Sequence, residues 1–356
     1  MRKKHKPNPA RALYLKIYRA EIKERIVNIT CSLEQNPDNA IAWFDRAEAR
    51  NIHGDKKNAI ADYTRGLELQ PDNAEALNRM AYIKITLNDY RGAMADLDKA
   101  IALKQNDHDY YYNRGFARLR TGEVLDAIED FTKSIEIDPE LEEAYYYLGQ
   151  AKAALGNSEG AVEAFTRAIE IRPKFAWAYF ERGFAKAHLK DFPGAIEDFD
   201  KTLKLDRRIT AVYFNRGAAK FEFADYLGSI IDNTKAVEID PTGEGAWYNR
   251  GLAKIRIGQP AEALADFLKA LELRKDSAET YNNIGYCRYM LGDFEGALAE
   301  LGHAIETNPQ YAEPYMSRGM LLVELGDKYS GCKDLRKAAE LGRKDALEVL
   351  AEIEDD

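Results

Sequence analysis

Cysteine is scarce in these 356 residues: Cys31, Cys287 and Cys332 stand far apart, with no CxxC or zinc-type spacing between them. That disfavours a disulfide framework or a structural zinc site and suits reduced, cytosolic thiols. The five histidines (His5, His53, His108, His188, His303) are equally scattered, none with a second ligand at metal spacing. No apolar run approaches the ~20 residues a spanning helix needs. A GxxxxGK[ST] phosphate loop does not occur, and no Ser, Thr or Cys stands in a recognisable nucleophile motif. Positive charge is also short: 51 Lys and Arg against 60 Asp and Glu leave a net charge of −9. Sequence-independent binding to nucleic acid or to an anionic membrane needs a basic face, so neither is expected. Met1 to Pro9 is basic, yet no apolar stretch follows it as a secretory leader would require. These absences favour a cytoplasmic, non-catalytic chain that uses no metal or cofactor.

What is present is a period. From Ala40 to Asp345 a 34-residue unit recurs nine times without a gap. Its fourth place holds Trp43, Leu77, Tyr111, Tyr145, Tyr179, Tyr213, Trp247, Tyr281 and Tyr315. The eighth is always small, Ala47 and Ala81 and then Gly115 through Gly319. The twentieth is Ala in seven copies, and the thirty-second is Pro in five. This order of large, small, small and Pro at a fixed period resembles the tetratricopeptide repeat family. The resemblance implies an all-α, right-handed superhelical solenoid of helix-turn-helix repeats, with first helices inside and second helices outside. It implies protein binding, and it names no partner.

The residues support helix pairs without the family. In the third copy Tyr111, Arg114, Gly115 and Arg118 follow helical spacing. Thr121-Gly122 then breaks the helix, Ala127, Ile128, Phe131 and Ile135 mark a second one, and Asp138-Pro139 ends it. One pair cannot bury its apolar face alone, so neighbours must stack. Length alone would suggest two or three domains, but the unbroken period favours one array. Residues 1–10 read as a basic disordered tail. Residues 11–37, with Ile22, Ile26, Ile29 and Leu33 on one face, read as an N-terminal capping helix before the repeats at 40–345. Residues 346–356 read as a C-terminal capping helix with an acidic tail.

A charge pair recurs with the period. Arg46, Arg114, Arg182, Arg216, Arg250 and Arg318 occupy the seventh place, and the same six copies carry Asp62, Asp130, Asp198, Asp232, Asp266 and Asp334 at the twenty-third. The fourth copy lacks both, with Leu148 and Ala164, and in the second Asp96 occurs with Met80. Co-occurrence predicts an Arg–Asp contact between the two helices of a unit, which bidentate geometry suits. The rival is a surface pair of Asp with the basic twenty-sixth place, such as Lys133.

In the family the inner wall is lined by first-helix places that here carry rings. The fifth place is aromatic in six copies: Phe44, Tyr112, Tyr146, Phe180, Phe214 and Tyr248. The ninth adds Tyr82, Phe116, Phe184 and Tyr286, and the twelfth adds Phe221 and Tyr289. Other places supply the core, so these rings look surplus to it, although sideways packing on neighbouring helices would also explain them. Trp177, Phe180, Phe184, Phe214 and Phe221 stand beside small Ala187, Ala211 and Ala218, where anchors of a partner would fit. Acidic second-place residues (Glu75, Asp109, Glu143, Glu279, Glu313) suggest an apolar or aromatic partner with some basic character. Asn113, Asn215, Asn249 and Asn283 at the sixth place are similar to the asparagine ladder in the repeats of a nucleocytoplasmic glycosyltransferase that modifies Ser and Thr, whose catalytic domain has no counterpart here. Such amides could clamp a peptide backbone; a tolerated polar residue on an exposed face is the alternative. The family's carboxylate clamp is not expected, since no Asn stands at the ninth place.

These features predict a protein-interaction scaffold or adaptor, with a regulatory or targeting subunit of an enzyme complex as the second reading. The sixth copy departs most from its siblings: Ala224 replaces the turn Gly, Ser229 the packed Ala and Asn233 the ring of the second helix. It is expected to be the weakest repeat.

Overall fold

Helix-forming runs broken at a left-handed turn every 34 residues dictate the architecture. The structure is a computed structural model that describes the backbone of residues 9–355 and the side chains of 17–353. Among the described residues there are twenty helices and no strand. The chain divides into two compact units, 1–178 and 179–356. The first holds α1 (Pro9–Gln35), α2 (Ala40–His53), α3 (Lys56–Leu69), α4 (Ala74–Thr86), α5 (Tyr90–Leu103), α6 (His108–Thr121), α7 (Val124–Ile137), α8 (Glu142–Ala154) and α9 (Ser158–Ile171). The division falls inside α10 (Ala176–His188). The second unit continues with α11 (Phe192–Leu205), α12 (Ala211–Glu222), α13 (Tyr226–Ile239), α14 (Glu244–Arg256), α15 (Pro260–Leu273), α16 (Ala278–Met290), α17 (Phe294–Thr307), α18 (Ala312–Glu324), α19 (Lys328–Glu340) and α20 (Asp345–Asp355). Most of the basic tail expected at 1–10 lies outside the described residues.

Each turn between paired helices needs one residue at positive φ. Gly54, Gly122, Gly156, Gly258, Gly292 and Gly326 supply it at φ 75–96°, which costs glycine nothing. Asn88, Lys190 and Ala224 hold the same place at φ 62–63°. Lys190 and Ala224 are the strained cases, because asparagine tolerates this region better than lysine or alanine does. After the turn an acidic or amide side chain caps the second helix, as Asp55, Asp89, Asp191 and Asp293 do by accepting the backbone N–H three residues on.

Close approach of the two helices depends on the small eighth place. A Cβ on Gly149 would sit 2.6 Å from Cε1 of Phe165. Phe165 is itself the twenty-fourth residue of its unit, the place that fills each interior. Tyr63, Leu97, Phe131, Phe199, Phe267, Leu301 and Leu335 do the same in other copies, all essentially solvent-free.

The ends are covered. In α1, Ile22 and Leu33 are buried, Ile26 and Ile29 are half-buried, and the Thr30 hydroxyl accepts from Arg46 Nη1 at 3.1 Å. At the other end Ala346 and Leu350 of α20 pack on Met316, Leu335 and Ala338. A last repeat without such cover would leave its stacking surface wet.

The Arg–Asp contact is real and bidentate in all six copies. Nε and Nη2 of each arginine donate to the two carboxylate oxygens over 2.5–3.1 Å. The rival surface pairing fails: Lys133 bonds Glu136, and Lys235 bonds Glu238. A second cation, four residues after the arginine, completes the arrangement in five of them. Arg50, Arg118, Lys186, Lys220 and Lys254 reach the same carboxylates at 2.6–2.9 Å. In the second copy, where Met80 replaces arginine, Lys84 alone meets Asp96. Burial pushes that carboxyl above the ordinary range, and Lys84 pulls it back only partly.

The arginine also looks backwards. Arg114 Nη1 donates to Asp98 at 2.7 Å and Arg250 Nη1 to Thr234 at 3.2 Å, each on the second helix of the preceding unit. Arg216 does the same with Asp200. One guanidinium thus holds its own helix pair together and ties it to the pair before.

Candidate functional site

The ring-bearing faces of the first helices are where unspent side chains gather. Their fifth-place rings are only half free. Phe44 stacks on Tyr63 with centroids 6.1 Å apart, Tyr112 lies against Phe131 and Tyr147, and Tyr146 meets Phe165 and Phe175. Phe180 lies on Phe199 and Tyr248 on Phe267, at 5.9 and 5.6 Å. Rather than standing surplus to the interior, each of these covers the buried twenty-fourth-place ring of its own unit. The physical reason is local: a first-helix ring leans onto whatever ring the second helix presents.

Phe214 is the exception that proves the dependence. Its unit presents Asn233 instead of a ring, and Phe214 has no ring contact among the described residues. It stays 38% exposed beside Gly245, at the edge of a cavity of about 350 Å³ lined also by Ala211, Ile239 and Ala246.

The ninth place behaves differently, because it points past the core. Tyr82, Phe184 (42%), Tyr286 (41%) and Met320 are exposed, and Trp177, one residue into α10, is 47% exposed. Phe184 touches only the edge of His188 among the described rings, at 4.7 Å. Phe116 is half-buried against Tyr147. Phe221 is held between Tyr226 and the Arg256 guanidinium, which also lies 4.7 Å above the Tyr226 ring. Trp177 belongs to the first unit, whereas Phe180, Phe184, Phe214 and Phe221 belong to the second.

Two concavities collect these side chains. In the first unit Phe116, Leu119, Arg120, Tyr146, Tyr147 and Gln150 line a cavity of about 470 Å³. In the second, Tyr286 and Tyr289 of α16, Met320 of α18, and Val349 and Ile353 of α20 line an apolar one of about 410 Å³. At its rim the Tyr289 hydroxyl donates to Glu324 at 3.0 Å, which holds the phenol protonated above its usual range. In the sequence Tyr286 and Tyr289 stand out as rings, but the repeat period does not join them to Met320 and the capping helix. The available signal was the second apolar edge of α20, more than stacking on α19 requires.

The four sixth-place asparagines divide. Asn113 Nδ2 donates to Asn78 Oδ1 at 2.9 Å, with both residues buried, and Asn283 Nδ2 donates to the Tyr248 hydroxyl at 3.0 Å. Each reaches the fifth place of the preceding copy. Asn215 bonds its own helix at Ala211, and Asn249 bonds no described residue. Much of this donor capacity is therefore already used in joining repeats.

Among the described residues no three His, Cys, Asp or Glu are grouped to hold a metal, and no helix is long and apolar enough to cross a membrane. Cys287 is buried in α16, and desolvation pushes its thiol up to about 12, the opposite of an activated nucleophile.

Sequence models described as tetratricopeptide repeat match residues 142–175 and, in a second form, 32–74, 78–142 and 248–313. The chain belongs to the tetratricopeptide repeat family. Solved structures agree on the fold. A tetratricopeptide repeat protein from Parabacteroides merdae is 17% identical with a TM-score of 0.51, covering 70% of this chain and 98% of that one. Pseudomonas aeruginosa pilF is 22% identical at 0.51, over 59% and 97%. The APC/C hetero-tetramer Cut9-Hcn1 is 12% identical at 0.52, over 88% and 76%. No curated protein matches the sequence significantly. A tetratricopeptide fold supports protein or peptide partners.

Proposed function

We propose that this chain is a non-catalytic scaffold that binds a protein or an extended peptide on the ring-bearing faces of its first helices. The ninth-place side chains carry this reading. Fifth-place rings other than Phe214 are spent on covering the interior, but Tyr82, Phe184, Tyr286 and Met320 stand exposed. Exposed apolar groups are what a partner's anchors require, and Tyr286 and Met320 stand at a shaped cavity. The cavity of about 410 Å³ at Tyr286 and Met320 has room for one or two large apolar side chains. Glu324 at its rim, with exposed Glu279 on the same helix as Tyr286, favours a basic residue next to the anchor. The Arg–Asp contacts that dominate the buried charge are committed to holding helices together, which leaves them no catalytic part.

Affinity capture with mass spectrometry tests this on the full chain. Replacing Phe184, Tyr286 and Met320 together by Ala should reduce partner recovery by about tenfold or more, because anchors dominate such surfaces. Ile231→Ala, at a still more exposed apolar residue on the second helix α13, should leave recovery unchanged. Equal recovery by both variants would remove the ring face as the site.

A further inference from the structure

The arginine lattice has one open end, and it lies on a different surface from the rings. Where the backward link can be traced, Nη1 of the seventh-place arginine is satisfied by the twenty-fifth residue of the unit before, Arg114 by Asp98, Arg216 by Asp200 and Arg250 by Thr234, and for Arg46 by Thr30 at the same spacing in the capping helix. For Arg318 that residue is Gly302. Nε and Nη2 still grip Asp334, at 2.7 and 3.1 Å, but Nη1 bonds no described residue. A Cβ placed on Gly302 would stand 3.8 Å from this Nη1, so the missing side chain would have pointed at it.

There is space beside Arg318. Between α17 and α19, over α18, runs a groove of about 890 Å³. Leu298 and Ile305 form one apolar wall, Leu322 and Tyr315 line its floor with Arg318, and Lys333 and Lys337 stand on the other side. Lys333 is exposed and pairs with no described acid, whereas Lys337 reaches Glu340. The ninth copy also carries Leu322 where six siblings have a cation on the Asp, so its Arg–Asp pair is the most solvent-open of the set.

We infer that this groove is a second binding site, for a partner segment that places a carboxylate side chain between apolar ones. The carboxylate takes the position that Asp98 and Asp200 occupy in the third and sixth copies, accepting from Arg318 Nη1 with Lys333 beside it. Its apolar neighbours lie on Leu298, Ile305 and Leu322. Two of the four traced links put a Thr hydroxyl on this guanidinium atom and two put an Asp, so the only anion with an internal precedent there is a carboxylate. Charge-assisted hydrogen bonds of this kind discriminate strongly between Glu and its neutral amide.

The probe is a short peptide with one Glu flanked by leucines, acetylated and amidated so that no terminal carboxylate competes. Binding to the full chain is read by fluorescence anisotropy beside its Glu→Gln and Glu→phosphoserine counterparts. The Glu peptide should bind at least about tenfold more tightly than the Gln peptide. Gly302→Asp should abolish that preference, because it restores the sibling contact and fills the subsite with the chain's own carboxylate. Lys333→Glu, an exposed change that spares the helix pair, should weaken the Glu peptide severalfold. Equal binding of Glu and Gln, undiminished binding by both variants, or no binding of any peptide would overturn the site. A preference for phosphoserine would overturn the carboxylate assignment. The Phe184, Tyr286, Met320 variant should bind the peptide normally, which keeps this result separate from the ring-face reading.

Discussion

Asp266→Ala should destabilise the seventh repeat by about 3–5 kcal/mol, the range for breaking a buried ion pair from one side. Asp266 is 3% exposed, accepts two hydrogen bonds from Arg250 and pairs with the Lys254 ammonium. Its removal leaves two largely buried cations facing each other with no counter-charge. The double change Arg250→Leu, Asp266→Ala should be far milder, within about 1 kcal/mol of the parent, because apolar replacement of both partners removes the desolvation cost with the attraction. The fourth repeat already contains that solution: Leu148 and Ala164 are both buried there, with Lys152 in the place of Lys254. Repeat arrays open locally, so the measurement is native-state hydrogen exchange of α14 and α15 rather than a single global midpoint. A double variant as unstable as the single one would show that the pair contributes net attraction beyond its burial cost.

Restoring the sibling residues of the sixth repeat should stabilise it by about 3 kcal/mol. Asn233 is solvent-free; its amide nitrogen bonds the Ser229 carbonyl and hydroxyl, but its Oδ1 has no partner. An orphaned buried acceptor costs about 1–3 kcal/mol, and alanine in the left-handed region about 1–2 kcal/mol more. The triple change Ala224→Gly, Ser229→Ala, Asn233→Phe reproduces the Gly258, Ala263, Phe267 combination of the seventh repeat. Amides of α12 and α13 should then exchange about a hundredfold more slowly, since 1.4 kcal/mol is a factor of ten. Unchanged exchange would mean that the orphan and the strained turn are relieved elsewhere. The same change gives Phe214 a ring to lie on and should draw it out of solvent, so stability would come at the expense of an exposed anchor.

The helix pairs were legible in the sequence because nine copies vote on every place. Large, small and Pro positions survive that averaging, and so does the Arg–Asp co-occurrence, since both partners change together in the fourth copy. The second cation was equally visible, as Arg50, Lys84, Arg118, Lys186, Lys220 and Lys254 recur with the Asp, yet its spacing resembles an ordinary solvated face. The backward link was hidden because Thr and Asp alternate at its acceptor. Ring burial was hidden for a different reason: a fifth-place Tyr or Phe leans inward or outward according to the residue opposite, as Phe214 over Asn233 shows. The cavity under α20 depends on where a terminal helix settles, and no period reports that.

Hydrogen exchange on a bound complex tests the first-helix face most directly. The ligand is the tightest peptide selected from a random displayed library on the full chain, and amides are compared with and without it. Slowed exchange should concentrate in α16, α18 and α20 around Tyr286, Met320 and Val349, or in α6 and α8 around Phe116 and Tyr146. Protection confined to second helices such as α3, α7, α13 and α15, with those first helices unchanged, would contradict it.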